Sequence, residues 1–362
     1  MKNKILVVIN NLDSGGTEQH LLQVLPLLQR QLQNKIYIYA VTGRGKLASQ
    51  FEQQGIKIIS PKKGCSIFLL IKTLWKIKPN FIHSFLPRAY LTSMLANIFY
   101  QKPLVMSRRS LNDYQKKHPF LAKLECFSHH FISFALGNSQ AVVNQLLEEG
   151  IPKGKIKLIY NGIDTTAYQK KETGNKTEKL TMIIVANLRA YKGHLDLLEA
   201  LHVISKKLPH EWSLLCVGRD EGMLNALKEK AALLELDKQI VWLGEREDIA
   251  DLLIQSDLAI ACSHEEGFSN SILEAMAVGL PVIATSVGGN LEAVIDQQTG
   301  LIVPKKSPAD LAKAILMLAS NEVLRQEMGE KGYQRVQECF NLNECVKQYK
   351  NFYEEVIKTC VV

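Results

Sequence analysis

Glu266 and Glu274 stand eight positions apart in the stretch HEEGFSNSILEAMAVGLPVIATSVGGN, His264 to Asn290, with the small polar run Ser269-Asn270-Ser271 between them. A strand-like segment, DLAIACS, precedes this stretch, and the helical pattern SILEAMAVG follows its start. That order sets Glu266 on a loop beyond a strand's carboxyl end. It sets Ser269, Asn270 and Ser271 at a helix N-terminus, where free backbone N–H groups can hold phosphate. Glu274, one turn into the helix, is too close to such a phosphate to be its ligand, and a carboxylate is better matched to hydroxyls. One loop and one helix could then hold a diphosphate between two groups of hydroxyls, as a nucleotide-diphosphate sugar requires. Taken alone, E-x7-E also describes an ordinary βα unit with two surface glutamates.

A departing diphosphate needs its charge stabilised, and LRAYKG supplies Arg189 and Lys192 just after the strand-like run TMIIVAN. A guanidinium can hold two phosphate oxygens at once, and a lysine adds a compact charge. Near the N-terminus, DSGGTEQH joins the run KILVVIN to a helical pattern. Gly15 and Gly16 there would let the backbone approach a donor phosphate or an acceptor closely, although a tight βα turn explains them equally well. The loop is not a GxGxxG, which counts against a dinucleotide enzyme. His83, in FIHSFLPRAY, is placed to orient hydroxyls or to serve as a hydrogen-bonded structural histidine, the preferred reading. Arg88, Arg108 and Arg109 could contact an anionic acceptor or simply be solvated. No DxD-like pair stands out, so neither a metal nor a resident cofactor is expected.

A chain of 362 residues with 46% hydrophobic and 22% charged content suits two α/β domains of ordinary size. Strand-like runs alternate with amphipathic stretches throughout, the pattern of parallel sheets with crossover helices. In the first half they are KILVVIN, KIYIYAV, IKIIS, NFIHSF, LVMSRR, FALGNS and KIKLIYN; in the second, TMIIVAN, WSLLCVG, QIVWLG, LAIACS, PVIATSV and GLIVP. The polar stretch TTAYQKKETGNKTEKL between them reads as a linker. The expected division is a Rossmann-like domain over 1–165, a linker over 166–178 and a second Rossmann-like domain over 179–341.

No apolar run approaches the roughly 18 residues of a spanning helix. KILVVIN leads into a glycine loop rather than a small-residue cleavage site, so no secretory leader is expected. Seven cysteines without a CxxC pair fit a reducing cytoplasm, with the thiols as small core residues. Residues 1–165 carry 22 Lys+Arg against 8 Asp+Glu, and the remainder 22 against 28. A first half at +14 suggests an anionic partner such as a membrane surface, a lipid-linked diphosphate or a charged polysaccharide, if not merely a solvated lysine surface. SIFLLIKTLWKIKP sets Lys72 and Lys76 one turn apart beside Trp75, and DYQKKHPFLAKLECF again mixes lysines, Lys116 and Lys117 among them, with aromatics. Such segments can lie on anionic headgroups or be crossover helices with a wet face. Nothing resembles a nucleic-acid module.

Several motifs in order resemble the retaining glycosyltransferases of family 4: NLDSGGTEQHLL, GNSQAV, IYNGID, VANLRAYKGHLDLLEA, VWLGEREDIADLLIQSD and the HEEGFSNSILE stretch with its trailing GLPVIATSVGGN. Two departures stand out. Asn187 occupies the place of the usual arginine five residues before the lysine, and Phe85 that of a frequent histidine. The resemblance implies a GT-B architecture, with two doubly wound Rossmann-like domains facing each other across a cleft. The first would bind the acceptor, the second the nucleotide sugar, and a helix over about Leu342–Lys358 would return to the first. It also implies transfer of a hexose-type sugar from a UDP or GDP donor to a hydroxyl acceptor, lipid-linked or polysaccharide, in cell-surface polysaccharide or lipopolysaccharide synthesis. The enzyme would be cytoplasmic, possible as a peripheral protein on the inner membrane face. Glu266 would hold sugar hydroxyls, Glu274 the ribose, and Ser269, Asn270 and Ser271 with Lys192 and Arg189 the diphosphate, whose departing oxygen helps deprotonate the acceptor. A sugar-nucleotide epimerase of similar build and a non-catalytic sugar-nucleotide-binding subunit are the alternatives.

Overall fold

A computed structural model describes residues 3–62, 64, 66–111, 115, 118–171, 179–208 and 211–359. The chain forms two compact units, Met1–Gly162 with Leu342–Val362, and Ile163–Asn341. Each is a parallel sheet covered by helices. The strands are runs rich in Ile, Val and Leu, which suit a pleated surface buried on both faces. All thirteen strand-like runs read from the sequence form strands.

In the first unit the strands are β1 (Lys4–Ile9), β2 (Lys35–Ala40), β3 (Lys57–Ile59), β4 (Phe81–Phe85), β5 (Leu104–Arg108), β6 (Phe134–Gly137) and β7 (Ile156–Leu158), in the spatial order β3-β2-β1-β4-β5-β6-β7. Strand periodicity divides the core between the two faces. Ile5, Val7 and Ile9 of β1 share one hydrophobic cluster with the helix Gly16–Leu32 and the final helix Leu342–Thr359. Leu6 and Val8 share another with the helices Ile67–Ile77 and Pro87–Asn97. The final helix packs on Gly16–Leu32 and buries Val346, Tyr349, Phe352, Tyr353 and Val356, a stripe at helical spacing. Burying each such side chain contributes about 1.5–3 kcal/mol.

The second unit has β8 (Lys179–Val185), β9 (Glu211–Val217), β10 (Ile240–Gly244), β11 (Leu258–Ala261), β12 (Val282–Thr285) and β13 (Gly300–Val303), in the order β10-β9-β8-β11-β12-β13. Of the expected linker, residues 172–178 lie outside the described residues, as do Lys116 and Lys117. Lys171, just before that stretch, is tied down by Asp257, with 2.9 Å between Nζ and Oδ1. No helix among the described residues is long and apolar enough to cross a membrane.

Candidate functional site

In the second unit the chain moves outward from β8 through β9 and β10, then returns to start again at β11, so β8 and β11 are neighbours. At such a reversal the loops after the two central strands diverge and leave room for a ligand beyond the strands' carboxyl ends. These two loops carry Lys192 and Glu266. Lys192 Nζ donates to Glu266 Oε1 at 2.5 Å, and Ser263 Oγ donates to the same oxygen at 2.8 Å. The lysine and glutamate side chains are 19% and 15% exposed, sheltered yet reachable. Burial disfavours the ammonium, but the Glu266 carboxylate outweighs it and raises the Lys192 pKa above the ordinary lysine value.

Gly193 makes that meeting possible. Its φ is +77°, and a Cβ there would lie 1.9 Å from the carbonyl oxygen of Cys262, so only glycine lets the β8 loop press on the β11 loop. Further bonds bolt the two loops together: His264 N–H donates to the Tyr191 carbonyl at 2.7 Å, and the His264 ring pairs with Asp196 at 2.7 Å. The trailing GLPVIATSVGGN supplies scaffolding. Thr285 Oγ1 donates to the Ser263 carbonyl at 2.5 Å, and Gly289 N–H to that of Gly267 at 2.9 Å.

Arg189 turns to a different partner. Its Nε donates to Glu221 Oε2 at 2.5 Å, and its guanidinium also reaches the Tyr191 hydroxyl at 3.2 Å. Glu221, on the loop after β9, receives Arg219 at 3.0 Å and Asn187 Nδ2 at 2.9 Å as well. Burial would raise the Glu221 carboxyl, but hydrogen bonds from Arg189 and Arg219 hold it below the usual range. Sequence reasoning missed Glu221 and Arg219. The available signal was the adjacency of β8 and β9, which brings RDEG beside LRAYKG. Asn187 bridges this group, its Oδ1 accepting from Arg219 N–H at 3.1 Å.

Ser269 precedes the helix Asn270–Ala277 as its N-cap residue without capping it; Ser269 Oγ and Ser271 Oγ lie 3.0 Å apart instead. Glu274, on the next turn, is half-buried and makes no hydrogen bond or ion pair among the described residues. Burial pushes its carboxyl up to about 7. His194, two residues after Lys192, is buried with both ring nitrogens lacking a partner among the described residues, and burial, then the Lys192 charge, lowers its pKa to about 4.

The first unit repeats the reversal between β1 and β4. Gly15 is the N-cap residue and Gly16 the first residue of the helix Gly16–Leu32; a Cβ on Gly15 would meet a Glu18 carboxylate oxygen at 2.5 Å. Asn10 Oδ1 accepts from Ala89 N–H at 2.9 Å and ties the two loops. Leu86, at the end of β4, holds φ +73°, a strained value for a branched residue. Arg88 follows, exposed. His83 is fully buried, with its nitrogens 2.7 Å from the Tyr353 hydroxyl and 2.7 Å from Ser107 Oγ, while Phe85 packs on its ring. Burial, aided by the Arg109 charge, lowers its pKa to about 3, the state of a neutral structural histidine. Arg108 is buried in ion pairs with Glu125, at 2.7 Å, and Glu149. Its guanidinium is committed to the interior instead of an acceptor. Arg109 donates to Asn161 Oδ1 at 2.8 Å. Cys126, His129 and Glu149 stand close enough together to suggest metal ligands. Glu149, however, already neutralises Arg108 and bonds His129 Nε2 at 2.8 Å, which is an ion-pair network.

The chain is similar to known glycosyltransferases over most of its length. The family "Glycosyltransferase Family 4" matches residues 14–167, and "Glycosyl transferases group 1" matches 166–335. N-acetyl-alpha-D-glucosaminyl L-malate synthase of Bacillus anthracis is 30% identical over 227 residues, 61% of this chain and only 59% of that enzyme's length. The capsular polysaccharide biosynthesis glycosyltransferase CapM of Staphylococcus aureus is 24% identical over 361 residues, 92% of this chain and 95% of its own. The crystal structure of Anabaena Alr3699/HepE with UDP and glucose superimposes with a TM-score of 0.86 over 98% of this chain and 100% of that one. At 20% identity this last likeness speaks to fold alone.

Proposed function

Since this chain belongs to the glycosyltransferases of group 1 and family 4, we propose that it moves a hexose-type sugar, with retention, from a nucleotide-diphosphate donor to a hydroxyl acceptor in cell-surface polysaccharide or glycolipid synthesis. The observation that carries this reading is the Lys192–Glu266 pair at the β8/β11 reversal, beside an uncapped helix N-terminus. The Asn270–Ala277 N–H groups, the serines around them and the Lys192 ammonium receive the diphosphate. Glu266 then exchanges its lysine partner for sugar hydroxyls. Glu274, unpaired and raised toward neutrality, is suited to accept from ribose hydroxyls, which favour its ionised form. Arg189, held beside the site by Glu221, adds a second cation.

Retention follows if the acceptor attacks from the face that the diphosphate leaves, with a departing phosphate oxygen taking the acceptor's proton. Fixed cations and a helix N-terminus supply the charge stabilisation that a divalent metal would otherwise provide, so transfer is expected to run without one. The acceptor is assigned to the first unit, and the Gly15-Gly16 loop there to close approach of a donor phosphate or the acceptor. Support for a polysaccharide or lipid-linked acceptor comes from the full-length likeness to CapM and from the basic first half of the chain.

The test is to incubate the protein with UDP- and GDP-sugars, with and without candidate acceptors, and to read released nucleotide and the anomeric configuration of the product by NMR. A retained configuration and slow donor hydrolysis without acceptor are expected. An inverted product would overturn the retaining mechanism. Epimerised donor with no transfer would overturn the whole reading.

A further inference from the structure

Every exposed phenylalanine and tryptophan among the described residues lies in one region of the first unit: Phe68, Trp75, Phe99, Phe120, Phe127 and Phe131. Three helices bear them, with Phe99 and Phe131 just past the ends of the second and third. Ile67–Ile77 packs on Pro87–Asn97, which packs on Pro119–Ser128. Trp75 meets Tyr100 edge-on at 5.8 Å, and Ser128 Oγ donates to the Tyr90 hydroxyl at 2.8 Å, tying the three together. On each helix the outward residues recur at helical spacing. Phe68, Lys72, Trp75 and Lys76 share one face; Arg88 and Leu95 share the next, with Phe99 just past its end; Phe120, Lys123, Leu124 and Phe127 the third. Opposite faces are spent on the core, through Leu70, Leu74 and Ile77 in the first helix and Ala89, Tyr90 and Met94 in the second.

The charge on this surface has one sign. From Gln53 to Asn112, which spans the first two helices, the sequence contains no aspartate or glutamate, and Glu125, the one carboxylate of the third, is buried against Arg108. The exposed aromatics are therefore interleaved with Lys72, Lys76, Lys123 and Arg88, whose ammonium and guanidinium groups reach past the rings to a polar layer. A protein–protein interface is depleted of lysine at its centre, and a second copy of this surface would set like charges against like. An anionic bilayer is complementary in both respects, because aromatic rings settle at the headgroup level and lysines are drawn to acidic lipid.

We propose that this three-helix surface docks on an anionic lipid bilayer, with Phe68, Trp75, Phe120 and Phe127 entering the interface. The inference deepens the proposed function by naming where the acceptor-side unit meets a membrane, and it rests on that reading only for the purpose of docking. Its test needs no transfer. Full-length protein is sedimented with vesicles of phosphatidylcholine alone or of phosphatidylcholine and phosphatidylglycerol in equal parts, and Trp75 fluorescence is followed with brominated acyl chains as quencher. Binding to acidic vesicles only, with quenching that vanishes in Trp75→Phe, is expected. At about 1 kcal/mol per lysine, Lys72→Gln with Lys76→Gln should weaken partitioning about thirtyfold. Phe68→Ser with Phe127→Ser, at positions exposed in the fold, should abolish quenching while leaving the circular dichroism and donor hydrolysis unchanged.

Absence of sedimentation at low salt would overturn the inference. So would sedimentation without Trp75 quenching that ignores the phenylalanine substitutions, or a dimer in sedimentation velocity that these substitutions dissolve. A protein that hydrolyses donor but ignores vesicles would sink this proposal alone. One that binds vesicles yet never turns over donor would sink the proposed function and leave the docking surface standing.

Discussion

Lys192→Ala probes the site where the structural and chemical roles of one residue can be separated. Lys192 makes one charge-assisted hydrogen bond, to Glu266 at 2.5 Å, and the carboxylate keeps Ser263 as its second donor. Losing such a bond costs about 1.5–3 kcal/mol. Because both side chains retain some water access, the lower end applies, or about 2–4 °C in Tm per kcal/mol for a unit of this size. The Lys192 pKa is raised in the folded protein, so the pair's contribution is complete at neutral pH and is lost only as pH rises through that raised value. On the chemical side, removing a donor aimed at developing charge costs about 10²–10³ in kcat. The expected result is a modestly destabilised protein whose turnover falls by two to three orders of magnitude, with affinity for nucleoside monophosphate nearly unchanged. Adding Glu266→Gln should restore most of the melting temperature by removing the stranded carboxylate, and none of the turnover. Calorimetry, thermal melting and single-turnover transfer read these three quantities separately. Wild-type turnover in Lys192→Ala would refute the assignment, as would recovery of turnover in the double variant.

Three further outcomes follow from the same geometry. Glu266→Gln should impair sugar transfer while sparing nucleoside diphosphate affinity, and Glu274→Gln should weaken the nucleotide itself by about 1.5–3 kcal/mol in calorimetry; equal effects on nucleotide affinity would contradict that division. The folded Glu274 carboxyl is raised from 4.5 to about 7, so the folded chain binds more protons than the unfolded one between those values and loses stability as pH rises through that window. Nucleotide affinity should tighten over the same upper range as the carboxylate ionises, and both trends should flatten in Glu274→Gln, measured by melting and titration at several pH values. Gly193→Ala forces a Cβ against the Cys262 carbonyl at positive φ, so a stability loss of at least about 1–3 kcal/mol and a greater loss of activity are expected; a fully active, equally stable variant would mean that the two loops need not touch.

The strands were readable because parallel sheets buried on both faces demand continuous Ile, Val and Leu runs, and those runs stand out between polar segments. The contacts of the site were less so. Lys192 and Glu266 could each be singled out by motif, but they meet across 74 positions only because the strand order reverses between β8 and β11, and periodicity does not encode strand order. Glu221 was missed because it follows β9 while its partner Arg189 follows β8, and only the pairing of those two neighbouring strands brings them together. His83 ends in a hydrogen bond to Tyr353, 270 residues away, which no local pattern announces. Phe68 and Phe127 look like core residues at helical spacing. Which face of an amphipathic helix is left outside depends on the layer beneath it.

The final helix belongs to the first unit, yet the whole second unit is inserted before it. A ribosome therefore delivers a continuous second unit while the first still lacks Tyr349, Phe352 and Tyr353, which cover Gly16–Leu32 and satisfy His83. Vectorial synthesis usually favours the segment made first, but here the earliest residues must wait for the latest. The order of completion is reversed, and the waiting half leaves the helix Gly16–Leu32 uncovered until the last helix arrives. A premature stop at Leu342 would leave the second unit intact and the first without its closing layer, so the length of the nascent chain itself becomes the condition for an assembled enzyme.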